Sequence, residues 1–521
     1  MASIVTDQFR INNAKNFVDS VKDSNNSYYV FFGLSNPTSA GKFGRDSNWP
    51  VAPVDNFEYL SHYKDTILFG KKVNSGDVRR VIRRVDWTVN NTYEMYRHDY
   101  SITNQTAYKN ATKLYNADYY VVNSDYRVYI CLYNGIDSDN PNGRQSLDEP
   151  TFTDLEPAAA GSSGDGYIWK YLFTISPSDI IKFDSTEYII LPNDWGTSTD
   201  PQIKAVREAG DSTQNNNQIK IVHIEQNGEG SGEYVTKTYP ILGDGSGGEV
   251  LVTVTNGKIT DTTVTSGGSG YTYGIVDLET TSTINDESQK AKLVPIIPPS
   301  KGHGYDIYSE LGADRVLIFA RFDDSIKEFI TNTQFSQVGI LKNPESLTSS
   351  SVITTNTFSN LHSLMLNSVP SSLPTIGGEV TQIRSDGKKA KAYVAGYDSE
   401  TNVLKYYQDR SLYYVNGQDS TDGMATDGSN FVSVADYSQL LDFDPNGQSL
   451  QGEVSVSIDD TFNGTTMLVG TKRVSLGVNF SSGIAKPEIN NNTGDVLYID
   501  NRSVVTRNIR QKEDVKIILE F

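Results

Sequence analysis

Along this chain, apolar and polar positions alternate far more often than they recur at helical spacing, so most of its elements read as strands separated by turns. Residues 27–34 (S-Y-Y-V-F-F-G-L) and 166–175 (G-Y-I-W-K-Y-L-F-T-I) are unbroken apolar runs of strand length. Residues 119–122 and 126–132 read as a pair of strands around Asn123-Ser124-Asp125. Val250, Val252 and Val254 alternate ahead of Asn256-Gly257, a strong hairpin signal because both residues tolerate positive φ, and residues 258–265 return. The same reasoning predicts hairpins at Ser385-Asp386-Gly387 and at Asn463-Gly464. Near the end, residues 496–499 predict a short strand with Asp500, Asn501 and Arg502 as its polar exit. Val515, Ile517, Leu519 and Phe521 form one apolar face of a docked last strand.

Helical spacing is confined to the first part of the chain. Ala14, Phe17, Val18 and Val21 fall at i, i+3, i+4 and i+7, which predicts an amphipathic helix capped by Asn12 or Asn13. A second helical pattern covers residues 57–68. A third falls in V-R-R-V-I-R-R-V, where Val78, Val81, Ile82 and Val85 share one face and four arginines take the others. The fold class expected is mainly β with an α+β N-terminal part, in several domains that are β-sandwich-like. Residues 1–204 form the first, residues 205–299 a Gly-rich β module closed by Pro295, Pro298 and Pro299, and residues 300–521 a β-rich last domain, with 409–451 a second candidate insertion.

Composition agrees and narrows the classes of function. With 521 residues the chain exceeds what one core serves, and 31 Tyr and 42 Gly against 5 Met favour sheets with many turns. A formal charge of −19 disfavours nucleic acid or an anionic membrane as partner, since both need cationic contacts. The single cysteine, Cys131, permits no internal disulfide, which suits a reducing cytosol. No basic start precedes an apolar run, and no stretch approaches the ~20 apolar residues of a helical span, so neither secretion nor membrane insertion is expected.

Motifs with chemical meaning each have a plainer reading. Residues 243–248 satisfy G-x-G-x-x-G, but a dinucleotide site needs a helix at the last glycine, and E-V-L-V-T-V follows instead. Asp137 to Gly143 (D-S-D-N-P-N-G) places Pro and Asn where a calcium loop needs ligands and a sharp turn, so it reads as a polar turn. His62, His98, His223, His303 and His362 are dispersed without zinc spacing. Asp323-Asp324 and Asp459-Asp460 are adjacent pairs, which point apart rather than flank a cleft as glycosidase carboxylates do. No enzyme, cofactor or metal site is expected. The candidate contact residues are the basic cluster Arg79, Arg80, Arg83 and Arg84, weighed against a merely solvated or internally paired face, together with Arg502 and Arg507.

Three tracts carry a family likeness. They are Y-V-V-N-S-D-Y-R-V-Y-I-C-L-Y-N-G followed by G-Y-I-W-K-Y-L-F-T-I, then H-G-Y-D-I-Y-S-E-L-G-A-D-R-V-L-I-F-A-R-F-D with F-S-Q-V-G-I-L-K-N-P, and the last 28 residues. In this order they resemble the baseplate wedge family of T-even-like contractile-tailed phages, called gene product eight. The resemblance implies a structural virion protein of the tail baseplate, assembled in the host cytoplasm, that forms a homodimer and contacts the other wedge proteins. It implies no enzyme activity, no cofactor, and a mechanical role in which the wedge rearranges before sheath contraction. Residues 205–299 lie between the family-like tracts and read as an insertion. A receptor-binding adhesin for host glycans and a cell-wall hydrolase are the alternatives.

Overall fold

A computed structural model describes residues 4–34, 52–137, 139–209, 218–231, 234–278, 290–323, 329–371, 373–383, 389–408, 431–432, 440–444, 456–508 and 511–521. Strands dominate, with a few short helices, most of them in the N-terminal part, as the alternation predicts. The chain divides into two compact units, and it passes between them at 18/19, 78/79, 317/318 and 517/518.

The unit made of Asp19–Val78 and Ile318–Ile517 holds a five-stranded antiparallel sheet in the order Thr357–Ser359, Ile67–Val73, Tyr28–Gly33, Thr333–Lys342, Asp495–Arg507. The apolar run at 27–34 becomes its central strand, buried at every position because both faces are covered. Tyr29, Phe31, Leu341 and Phe358 pack on one face. On the other, Phe32 stacks on Phe335 at 4.0 Å and Phe69 lies 4.9 Å from Phe329. Gly339 has no side chain because one would stand 2.4 Å from the Phe31 ring and 2.6 Å from the Tyr498 carbonyl. A six-stranded sheet, with Lys389–Asp398 paired to both Glu379–Ile383 and Val403–Tyr407, surrounds Leu364, Val380, Val394, Leu404 and Tyr406. The two strands flanking Ser385-Asp386-Gly387 thus pair as expected, while the tip itself lies outside the described residues, as does most of 409–451, of which Leu441–Asp444 adds a strand to this sheet.

In the other unit, Tyr120–Val122, Arg127–Asn134 and Tyr167–Thr174 form a three-stranded sheet, matching the strands read from the sequence. Trp169 is fully buried there between Tyr93 and Tyr167. Residues 205–299 contribute a four-stranded sheet in the order Lys258–Ser269, Ser246–Thr255, Lys237–Gly243, Gly274–Val276, and a two-stranded ribbon of Val222–Ile224 with Leu293–Pro295. These share one apolar cluster that includes Ile219, Tyr239, Val250, Val252, Tyr271 and Ile297. Asn256 and Gly257 turn the hairpin with φ of 53° and 78°, the pair of positive angles that the Asn-Gly signal anticipates.

Five local expectations are corrected. The V-R-R-V-I-R tract is a strand, Val78–Arg83, paired through Val81 and Ile82 to Ile190 and Ile189. Eight residues satisfy both periods, and β-branched Val and Ile tip the choice toward the extended form. The first helix runs Asp7–Lys22, so Asn12 and Asn13 lie inside it and Thr6 serves its start through the Phe9 amide. Of the expected face Ala14, Val18 and Val21 are buried and Phe17 is half-buried, and Ile11 joins them. The second helix stops at Asp65, and β-branched Ile67 begins a strand instead. Asn463-Gly464 does not close a hairpin: Gly464–Val469 pairs forward with Lys472–Phe480 around Gly470, whose φ of 61° suits the first position of a II′ turn. Finally, Asp500, Asn501 and Arg502 lie within the strand Asp495–Arg507, which bulges opposite residues 335–337.

Candidate functional site

The six arginines singled out in the sequence all have partners within the chain. On the Val78–Arg83 strand, Arg79 binds Asp179 at 2.8 Å, and Arg80 stacks over the Tyr308 ring at 3.0 Å from its centroid. Arg83 reaches Asp118 at 2.6 Å and the Ala117 carbonyl at 3.0 Å. Arg84 grips both oxygens of Asp86 at 2.9 and 3.1 Å and donates to the Ser185 carbonyl. Arg502 pairs with Asp500 and is 67% exposed, so that ion pair is weak. Arg507 is fully buried: it binds Glu513 at 2.9 Å and the carbonyls of Phe329 and Ile330 at 2.9 and 3.1 Å.

Arg83 also lines a crevice of about 480 Å³. Arg10, Lys113 and Arg315 join it there, facing Asp7, Glu187, Asp314 and Glu520. Such a crevice is charge-balanced, which suits recognition by complementary pairs rather than affinity for a polyanion. Arg315 is held by Glu520 at 2.7 Å and by Asp314 at 2.8 Å. In the same unit Phe521 packs 5.6 Å from Phe17, and its amide donates to the Asp314 carbonyl.

The remaining motifs resolve as structure. The G-x-G-x-x-G tract joins two strands, with no helix at its end. Glycines of this tract and of the facing strand make room for Tyr271: a side chain at 245 would stand 2.5 Å from that ring, and Gly268 on the facing strand combines a φ of +58° with an approach of 2.6 Å to the Gly248 nitrogen. The Tyr271 hydroxyl donates to the Ile241 carbonyl at 2.7 Å and accepts from the Gly248 amide at 3.0 Å, while Gln218 bonds both its backbone groups at 2.7 Å. Replacing Tyr271 with Phe leaves two buried backbone groups unsatisfied, and urea unfolding should show a loss of about 1–3 kcal/mol. A loss under about 0.5 kcal/mol, the scale of an indifferent surface change, would remove the hydroxyl from this account.

Asp137 accepts from the amides of Asp139 and Asn140, and Arg144 beside it holds its carboxyl down to about 2, as in a polar turn. Asp459 accepts from Thr461 in a turn of its own, and Asp324 lies outside the described residues. Among the described residues no group of three or more His, Cys, Asp or Glu is gathered as a metal site. No helix among them is long and apolar enough to cross a membrane.

Two buried polar clusters escaped the sequence reading. His303 lies 2.5 Å from Glu310, whose second oxygen accepts from the Gly304 amide, and the Tyr96 ring stands edge-on to the imidazole at 4.9 Å. Arg97 binds Asp99 and, at 2.8 Å, Glu225 of the Gly-rich tract. Nearby, His98 accepts from the Ile297 amide at 3.2 Å, and burial pushes its pKa below the usual range. The run Arg97-His98-Asp99 is visible in sequence, but nothing local brings Glu225 to it, 128 positions away. Close by, burial pushes the Lys170 ammonium down to about 8 while it donates to the Leu155 carbonyl at 2.6 Å.

A model of the family described as Bacteriophage T4, Gp8 matches residues 130–225. The baseplate wedge protein gp8 of Enterobacteria phage T4 is 27% identical over 218 residues, covering 36% of this chain and 60% of that relative. The chain thus spans less than two thirds of the curated relative it matches. The resemblance read from the sequence is borne out, and the family match begins inside the Arg127–Asn134 strand, within one of the three tracts that carry the likeness.

Proposed function

We propose that this protein is a structural subunit of a contractile phage-tail baseplate, holding wedge proteins together and rearranging with them before the sheath contracts. The observation that carries the reading is the family match over residues 130–225 together with the 27% identity to a baseplate wedge protein. The charge-balanced crevice at Arg83 supports it, because specific protein contacts are steered by complementary charge. In this reading the chain works as a homodimer without cofactor, is not an enzyme, and is assembled in the host cytoplasm into the virion tail. Light scattering on the purified protein tests the first of these, and a monomer at micromolar concentration would count against it.

Residues 205–299 are, in the same proposal, an insertion into the wedge body, although its first part, to residue 225, lies within the family match. Their shared apolar cluster and their glycine-bounded hairpins support this. Replacing residues 210–298 by a short Gly-Ser linker should leave dimerisation and incorporation into wedges intact. Loss of dimerisation would make the tract part of the core.

A further inference from the structure

The apolar cluster of the Gly-rich tract is closed on itself, because every residue in it, from Ile219 to Ile297, belongs to the tract. The ribbon of Val222–Ile224 with Leu293–Pro295 is part of that cluster. Val222 and Ile224 pack in it, so the alternation along a strand turns His223 the other way, toward the rest of the unit. There the imidazole meets the Tyr133 ring with 6.1 Å between centroids, and His223 is only 2% exposed.

Polar contacts fasten the ribbon at both ends. Past Ile224, Glu225 binds Arg97 at 2.8 Å. At the other end Lys220 binds Glu156 at 2.6 Å, and the Ile297 amide donates to His98 at 3.2 Å. The Ile297 carbonyl accepts from the Tyr96 hydroxyl at 3.4 Å. Beside the Lys220–Glu156 pair a cavity of about 510 Å³ opens between Tyr133, Glu156 and Ile168 on one wall and Ile219, Lys220 and Asp261 on the other. Water reaches both carboxylates, whose side chains are 35% and 63% exposed, so each pair is weak. Two bodies that meet through polar contacts and an incompletely packed cleft move relative to one another by default, whereas a shared apolar core would forbid it.

We propose that the four-stranded sheet and the ribbon move as one body, swinging from the rest of their unit about the chain at 297–299, with the Arg97–Glu225 and Lys220–Glu156 pairs as the latch. Opening returns both pairs to water and uncovers His223 and the cavity walls, while the cluster within the tract stays packed. Because the gain and loss nearly cancel, a modest preference of any contacting molecule for one form shifts the population. The inference rests on reading the tract as a module, as proposed above, and not on the phage-tail reading.

The test uses the full chain and diethyl pyrocarbonate at neutral pH, with modification of His223 followed by peptide mass spectrometry. Glu225→Gln with Glu156→Gln removes both pairs at side chains that water already reaches. Modification of His223 should be about fivefold to twentyfold faster in this double variant, since each pair shifts the balance by about fivefold at most. Amide hydrogen exchange in Ser246–Thr255 should stay as slow as in the unsubstituted protein, because the sheet moves without unfolding. An unchanged rate at His223 would overturn the proposal. So would a faster rate accompanied by loss of amide protection in that strand, which would show the tract unfolding rather than swinging.

Discussion

Arg507→Ala should lower the unfolding free energy of the unit containing it by about 3–5 kcal/mol, measured by urea denaturation. The guanidinium has no exposed surface, and it serves Glu513 and two carbonyls at once. It also lies 5.9 Å from the ring centroids of both Phe69 and Phe329. Removing it strands a carboxylate that is only 10% exposed, and removes the donor for Phe329 and Ile330. Arg507→Lys should recover little, because one ammonium cannot reach three acceptors spread in a fork. The double change Arg507→Met with Glu513→Met should regain part of the loss by removing the stranded charge, but not all, since the carbonyls stay unsatisfied. A single-variant loss below about 1 kcal/mol, or no recovery in the double, would show that this cluster does not hold the unit together.

Acid should weaken the protein between pH 6.5 and about 4. His223 is buried and His362 half-buried, and loss of solvent around each ring first, with Arg97 and Lys486 respectively adding to it, lowers each pKa from 6.5 to about 4. In that interval the unfolded chain binds protons that the folded chain refuses. Stability is therefore complete above the unfolded pKa and is lost as pH falls through the folded one. For one such histidine the loss approaches ~3 kcal/mol. His362 stacks on Tyr406 with centroids 5.1 Å apart, and its Nδ1 has no hydrogen-bond partner among the described residues. His362→Phe should accordingly keep the packing at neutral pH and flatten the dependence of melting temperature on pH between 6.5 and 4. An unchanged slope in that variant would place the acid sensitivity elsewhere.

What could be read beforehand was governed by range. Strands with strong local patterns, such as those at 27–34, 119–132 and 166–175, fell where their apolar runs lay, and Asn256-Gly257 supplied its own backbone angles. The apolar positions of the Val78–Arg83 strand satisfy a helix equally well, and its place in a sheet, paired with Tyr188–Ile190 among others, settles the matter. Asn463-Gly464 misled for the opposite reason: a good turn sequence was used for a bend, while Gly470 made the hairpin. The arginines were visible as a cluster, but not their partners, since Asp179 lies 100 positions from Arg79. Tyr271 could have been suspected from the density of glycine around it, because a packed ring is one reason for backbone to forgo side chains. The His303–Glu310 pair and the Arg97–Glu225 link left no such trace.

The central strand Tyr28–Gly33 has a consequence during synthesis. Gly33 lies opposite Gln337, so its second neighbour is made 304 residues later, from 337 minus 33. At the pace of bacterial translation that interval is about 15–60 s. Throughout it, Y-Y-V-F-F-G has only the strand Ile67–Val73 beside it and offers an apolar edge to any chain nearby. Expression yield should therefore be limited by the fate of the nascent chain rather than by the stability of the finished fold, and slower growth or added holdase chaperone is the lever that acts on it.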